Sequence, residues 1–223
     1  MSRPRITLKL ATSLDGRIAT SSGESRWITG EAARGEVQKL RASHNAVLVG
    51  IGTVLADDPE LLVRGEWAPS IQPVRVVLDR RLRIPETSRL IQTAADRRQR
   101  LLVISTGGWP TDRALARGEG IEVNLITPVV GEGEIAAVLR VLRQSHGIES
   151  VLVEGGGIVA ASFLREGLVD RLEWFRAPIV LGAEGKPAVA ALALAKLADA
   201  PRYRRVALRE LGPDIWESYE RIS

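Results

Sequence analysis

Ser150-Val151-Leu152-Val153-Glu154-Gly155-Gly156-Gly157-Ile158-Val159-Ala160-Ala161-Ser162-Phe163-Leu164 is the stretch on which the fold turns. Consecutive apolar residues at 151–153 describe a strand buried on both faces, the pattern of a parallel sheet. Three glycines follow at once, and residues 158–164 then continue as an apolar helix. Glycine permits a tight turn and close backbone approach, while the start of a helix presents N–H groups to an anion. The run is not the G-x-G-x-x-G dinucleotide fingerprint, so a diphosphate cradle and ordinary turn chemistry both fit it.

Working outward, the same alternation of short apolar strands and helices recurs, which defines an α/β class. Strands are expected at residues 6–11, 46–49, 74–78, 101–105 and 123–126. Helices are expected at residues 30–42, with Thr29 as cap and Glu31 in the first turn, and at 111–117 and 134–144. Residues 50–53 and 56–59 read as turns, and 65–73, with two prolines and Trp67, as a surface loop. The tail changes character: residues 171–178, 203–211 and 215–221 alternate without long helices between them, so antiparallel pairing is expected at one side of the sheet. The alanine-rich segment 187–200 is a helix or a loosely packed connection. No repeat or linker divides the chain, and a single domain over 1–223 is expected.

Composition narrows the chemistry. The 223 residues are 45% hydrophobic and 26% charged, a globular balance that excludes disordered and fibrous classes. There are no cysteines, and His44 and His146 are the only histidines. Disulfides, thiol nucleophiles, iron–sulfur clusters and cysteine-ligated zinc are excluded, and no metal is expected. Redox chemistry then has to come from an organic cofactor. Lys+Arg 31 against Asp+Glu 27 gives a net charge of +4 with 4% aromatics. The arginines are scattered and form no basic stripe, so a nucleic-acid partner is not expected, whereas a few of them suit a phosphate on a small substrate. No apolar run approaches the roughly 20 residues that span a bilayer. The amino terminus lacks a signal-peptide pattern, and a soluble, cytoplasmic protein is expected.

Two further segments lie next to strand ends, where open α/β sheets hold ligands. Gly50-Ile51-Gly52-Thr53 with Asp57-Asp58-Pro59 reads as a capped turn or a ligand loop, and its adjacent carboxylates diverge too much for a glycosidase pair. Ser22-Gly23-Glu24-Ser25-Arg26-Trp27 reads as a capping loop with Trp27 anchored in the core, or as a contact loop. No serine occupies a nucleophile elbow, and the two histidines read as surface or capping residues.

Lys9-Leu10-Ala11-Thr12-Ser13-Leu14-Asp15-Gly16-Arg17-Ile18-Ala19, Gly23-Glu24-Ser25-Arg26-Trp27-Ile28-Thr29, Leu40-Arg41-Ala42, Gly52-Thr53-Val54-Leu55-Ala56-Asp57-Asp58-Pro59 and Val153-Glu154-Gly155-Gly156-Gly157 together resemble the reductase domain of riboflavin biosynthesis. The blocks keep the family's order from about residue 5 to Gly182. The resemblance implies a dihydrofolate-reductase-like three-layer α/β/α fold with a mixed, mostly parallel sheet and antiparallel C-terminal strands. It also implies NADPH-dependent reduction of the ribosyl group of 5-amino-6-(5-phosphoribosylamino)uracil, and a homodimer. Carried over by position, Ala11, Trp27, Thr53 and Asp57 contact the cofactor, and Gly155, Gly156, Gly157, Ile158, Val159, Ala160, Ala161 and Ser162 surround its diphosphate. Ser25, Arg41, Leu61 and Arg64 match substrate positions, with the two arginines clamping the phosphate. Glu154 contacts the ribose, Lys9 lies near the reacting centre, and either one assists ring opening or imine protonation. Arg80 stands where relatives often carry serine; an arginine there suits the 2′-phosphate of NADPH, and a solvated surface charge fits it equally.

The chain departs from the bacterial pattern in starting at the reductase and in lacking cysteine, so no deaminase activity is expected. Residues 183–223 match the family loosely. The alternatives carried forward are the same reduction on the still-aminated 2,5-diamino-pyrimidinone phosphate, a reductase of another pterin or pyrimidine, and a noncatalytic nucleotide-binding domain.

Overall fold

The computed structural model describes residues 3–94, 99–107 and 120–222. The chain falls into two compact units, Met1–Arg5 with Gln38–Leu152, and Ile6–Val37 with Val153–Ser223.

In the first unit the strands β3 (Ala46–Gly50), β4 (Val74–Leu78), β5 (Leu101–Ser105), β6 (Ile121–Leu125) and β7 (Ser150–Val153) take the order β7-β3-β4-β5-β6. The β3–β4, β4–β5 and β5–β6 pairs are all parallel. All five residues of β3 and all five of β5 are buried, which is why these segments read as unbroken apolar runs. Val47, Val49, Val77, Leu101 and Val103 form one core with Val54, Leu61, Leu82 and Leu90 from the connections. Each such side chain contributes about 1.5–3 kcal/mol on burial. Helix α4 (Glu134–His146) turns Ile135, Val138, Leu139 and Leu142 inward at helical spacing. Gly147, at φ 66°, closes it in the left-handed conformation that an L side chain avoids.

In the second unit β1 (Arg5–Thr12), β8 (Arg171–Arg176), β10 (Tyr203–Leu211) and β11 (Asp214–Arg221) take the order β10-β11-β8-β1. β11 pairs antiparallel with both β10 and β8, whereas β8 runs parallel to β1. The expected antiparallel C-terminal strands are present. Residues 171–176 have an antiparallel neighbour on one side only, because the apolar helix α5 (Gly157–Arg165) returns the chain to run alongside β1. A small ladder joins β2 (Arg17–Ala19) to β9 (Lys186–Pro187). Helix α1 (Glu31–Ala42) starts at an amide bonded to Asp214.

Other differences have local causes. Residues 51–57, read as turn and loop, form helix α2 (Ile51–Asp57), because Ile51 and Val54 pack on the core and outweigh the poor helix propensity of Gly52. A short helix, α3 (Arg89–Gln92), forms where the sequence predicts no element. Segment 187–200 is a connection with one 3₁₀ turn (Leu197–Asp199), and Ala193 at φ 55° is incompatible with a continuous helix. The helix expected at 111–117 lies outside the described residues.

Candidate active site

In the second unit, Glu154 follows β7, and Gly155 and Gly156 take φ 150° and 80°, values that favour glycine. α5 then starts at Gly157 with Gly156 as its N-cap and no side-chain capping bond. Its first-turn N–H groups have no partners within the helix and therefore suit an anion. The connection after β9 lies against this turn: Ala190 N–H donates to Gly157 O at 2.9 Å. A Cβ on Gly157 would stand 2.5 Å from Pro187 O and 3.3 Å from Ala190 N, so only glycine fits. Ile158 is exposed and Val159 half-buried, while Ala160 and Ala161 are buried toward the core. Ser162 Oγ donates to Ile158 O at 3.0 Å within α5. What the turn can offer a ligand is accordingly the backbone around residues 155–159.

Lys9 and Ala11 share one face of β1 by the two-residue period of a strand, in register with Glu173 and Phe175 of β8. Lys9 Nζ lies 6.0 Å from the Phe175 ring centroid, and Phe175 stacks on Trp216 at 6.1 Å. Glu173, 1% exposed, accepts from Arg171 Nε at 2.5 Å, Trp216 Nε1 at 2.7 Å and Ser218 Oγ at 3.1 Å. Sequence reasoning passed over Glu173, since only its place within a strand-like alternation marks it.

Trp27 is 69% exposed, which corrects the reading of it as a core anchor. Its ring is covered instead by the Arg34 guanidinium at 4.6 Å, and Arg34 Nη1 in turn donates to Thr29 O at 2.9 Å. Arg34 of α1 thereby covers one face of an indole that the preceding loop exposes to solvent. Ser25 is half-buried in the same loop, its carbonyl accepting the Ile28 N–H at 3.2 Å.

In the first unit, α2 carries Thr53 in its first turn and Asp57 at its end, both half-buried. The chain then passes through Asp58 at φ 41° and the buried Leu61 at φ 57°. Left-handed backbone at a non-glycine residue costs on the order of 1–3 kcal/mol and persists only where its surroundings hold it. Here the holding groups are arginines. Arg41 Nη1 donates to Leu62 O at 3.0 Å, and Arg64 Nη2 meets Glu60 Oε2 at 2.6 Å. The fully buried Arg75 donates to Glu60 O at 3.3 Å, to Thr93 Oγ1 at 2.6 Å and to Gln99 O. Burial lowers the Arg75 pKa to about 10, with Glu60 opposing the shift.

Arg80 is exposed on the turn after β4. The buried Asp79 fixes that turn by accepting the Ile84 N–H at 2.8 Å, and Ser105 Oγ donates to Arg80 O at 2.9 Å. A Cβ on Gly107 would collide with the Arg80 carbonyl. His44 Nδ1 lies 2.6 Å from Leu40 O at the end of α1, a capping position. The His146 side chain is only 6% exposed, beside Glu122 and Asn124, which corrects its surface reading. Among the described residues no group of three or more His, Cys, Asp or Glu side chains is placed to hold a metal ion. No helix there is long and apolar enough to cross a membrane.

Parallel strands, an antiparallel C-terminal hairpin and a glycine turn from strand into helix make this a dihydrofolate-reductase-like α/β protein. More narrowly, the chain belongs to the RibD C-terminal domain family, which matches residues 4–216. It is 38% identical over 213 residues to the riboflavin biosynthesis protein RibD of Bacillus amyloliquefaciens, covering 95% of this chain and 56% of that protein. A solved structure of Acinetobacter baumannii RibD aligns with TM-score 0.82 and 34% identity, over 99% of this chain and 59% of that one. A Thermotoga maritima structure, described as a diaminohydroxyphosphoribosylaminopyrimidine deaminase/5-amino-6-(5-phosphoribosylamino)uracil reductase, aligns with TM-score 0.79 and 29% identity, over 99% of this chain and 57% of that one. The chain thus spans a little over half the length of these relatives.

Proposed function

We propose that the chain is an NADPH-dependent reductase that converts the ribosyl group of 5-amino-6-(5-phosphoribosylamino)uracil to ribityl. Family membership and the reductase activity named for the Thermotoga maritima relative support the reaction class. The observation that carries it here is the glycine turn into an uncapped helix, packed so that Gly157 admits no side chain. That arrangement fits a dinucleotide diphosphate, held by the backbone of Gly155, Gly156, Gly157, Ile158 and Val159. Ala11, Trp27, Thr53 and Asp57 are the further cofactor contacts in this reading, with Arg80 for the 2′-phosphate.

When bound, NADPH supplies a hydride for the anomeric carbon, which has to be released from its ring first. The chain's own part is binding and proton handling. Arg41 and Arg64 hold the sugar phosphate by charge-assisted bonds, with Ser25 and Leu61 against the rest of the substrate. Lys9, an ammonium half-buried on β1, serves to protonate the ring oxygen or the opened imine, and Glu154 positions the ribose hydroxyls.

Loss of NADPH absorbance on mixing the chain with this substrate, and in parallel with its 2,5-diamino precursor, tests the proposal. Oxidation with the uracil compound supports it, and oxidation with the precursor alone moves the reduction ahead of deamination. NADPH binding without oxidation of either favours a nucleotide-binding domain. Lys9→Met and Glu154→Gln are each expected to lower turnover by about a hundredfold, with little change in affinity for the substrate phosphate. Unchanged turnover in both removes their assignment.

A further inference from the structure

Residues 58–64 gather more positive charge than the two arginines the family resemblance assigns to substrate. Arg89 opens α3, and its side chain forms an ion pair with Glu60 Oε1, while Arg64 takes Glu60 Oε2 at 2.6 Å. One carboxylate, 17% exposed, therefore holds two guanidiniums that are themselves 59% and 51% exposed. Both arginines are also fixed through their backbones. The Arg64 N–H donates to Gln38 Oε1 at 2.9 Å and the Arg89 N–H to Asp58 Oδ1 at 2.9 Å. Beneath them Arg75 pins the Glu60 carbonyl from the core.

Exposed ion pairs stabilise a fold little, and two like charges on one carboxylate repel each other. The same arrangement is well suited to a ligand. A guanidinium has five N–H donors, and its bond to Glu60 leaves others for phosphate oxygens. Arg64 and Arg89 are two guanidiniums on the single carboxylate of Glu60, an excess of positive charge that a phosphate dianion would neutralise.

We propose that Arg89 is a third phosphate-binding guanidinium, paired with Arg64 through Glu60, for the sugar phosphate of the substrate. The inference rests on the reductase reading for the identity of that substrate. Its test is Arg89→Gln in the full chain, read in two ways. In turnover, KM for the phosphorylated substrate rises about tenfold, while kcat and the KM for NADPH stay as in the parent. In calorimetry, D-ribose 5-phosphate binds about tenfold more weakly, and D-ribose without the phosphate is unaffected. Arg89→Lys, which keeps the charge and loses the fork, recovers part of both losses. Thermal melting of each variant verifies that it is folded at the assay temperature.

A parent that reduces the substrate, with unchanged KM and unchanged ribose 5-phosphate affinity in Arg89→Gln, overturns the proposal and leaves the reductase reading standing. Absence of ribose 5-phosphate binding in the parent also overturns it. If the parent reduces neither pyrimidine, the reductase reading fails, and the ribose 5-phosphate titration alone still decides whether Arg89 holds phosphate.

Discussion

The Gly30 amide donates to Asp214 Oδ2 at 2.6 Å, joining the residue before α1 to the first residue of β11. Sequence reasoning gave the cap to Thr29, but the carboxylate at the start of α1 comes from a residue 184 positions away. Asp214 is 2% exposed, so its charge acts on the helix start with little screening by water. Replacing Asp214 with alanine should lower stability by about 1–2 kcal/mol, as loss of a buried helix cap does. Urea unfolding monitored by tryptophan fluorescence measures this, and a midpoint within error of the parent would show that the contact contributes nothing.

That cap illustrates what was legible in the sequence and what was not. β3 and β7 are apolar runs ended by Gly50 and Glu154, β4 is mainly apolar and is followed by Asp79, and β5 is apolar up to Ser105, so each of those signals lies within a few neighbouring positions. The glycine turn at 155–157 was legible for the same reason. α2 was not, because its helical form depends on Ile51 and Val54 finding the core rather than on local propensity. At two residues, β9 is too short to carry a period, and its pairing with β2 is set by distant chain. Likewise Glu60 with Arg89, and Glu173 with Trp216 and Ser218, are partners that no spacing rule connects.

Asp15 ties the turn after β1 to the chain beyond β8. It accepts from Ser13 Oγ at 2.6 Å and from the N–H groups of Leu181 at 3.1 Å and Gly182 at 2.8 Å. These bonds, that of Ser13 foremost, favour the ionised form and bring its pKa down to about 2. A carboxyl depressed in the folded state stabilises it above the ordinary carboxylate range, and that contribution disappears as pH falls toward about 2. Asp15→Asn should therefore melt below the parent at neutral pH and converge with it in strong acid. Melting temperatures followed against pH check this, and parallel curves would refute it.

Arg80 projects from a turn whose backbone is held on two sides, by Ser105 Oγ on its own carbonyl and by Asp79 on the Ile84 amide. A side chain on so fixed a base can select between ligands without reorganising the turn. Arg80→Ala should raise the KM for NADPH about tenfold, the equivalent of about 1.4 kcal/mol, and leave that for NADH unchanged. An unaltered preference between the two nucleotides would reassign Arg80 to the solvated surface.

Gly157→Ala separates the cradle from an ordinary turn. The added methyl would meet Pro187 O at 2.5 Å, a backbone atom that no side-chain rotation can clear, so either α5 or the end of β9 has to move. Overpacking of this kind costs typically about 1–3 kcal/mol. Because the displaced groups are the first-turn amides of α5, NADPH affinity should fall by tenfold or more while D-ribose 5-phosphate binding stays at the parental value. Gly35→Ala in α1 is the control for a methyl added to a helix: nothing lies within 4 Å of its would-be Cβ. Removing the entropic cost of an interior glycine there should stabilise the fold by about 0.5–1 kcal/mol. Calorimetric titration of both variants with NADPH, beside their unfolding curves, distinguishes the cases. If Gly157→Ala loses stability but binds NADPH as the parent does, the glycines serve the turn alone, and the diphosphate belongs elsewhere on the chain.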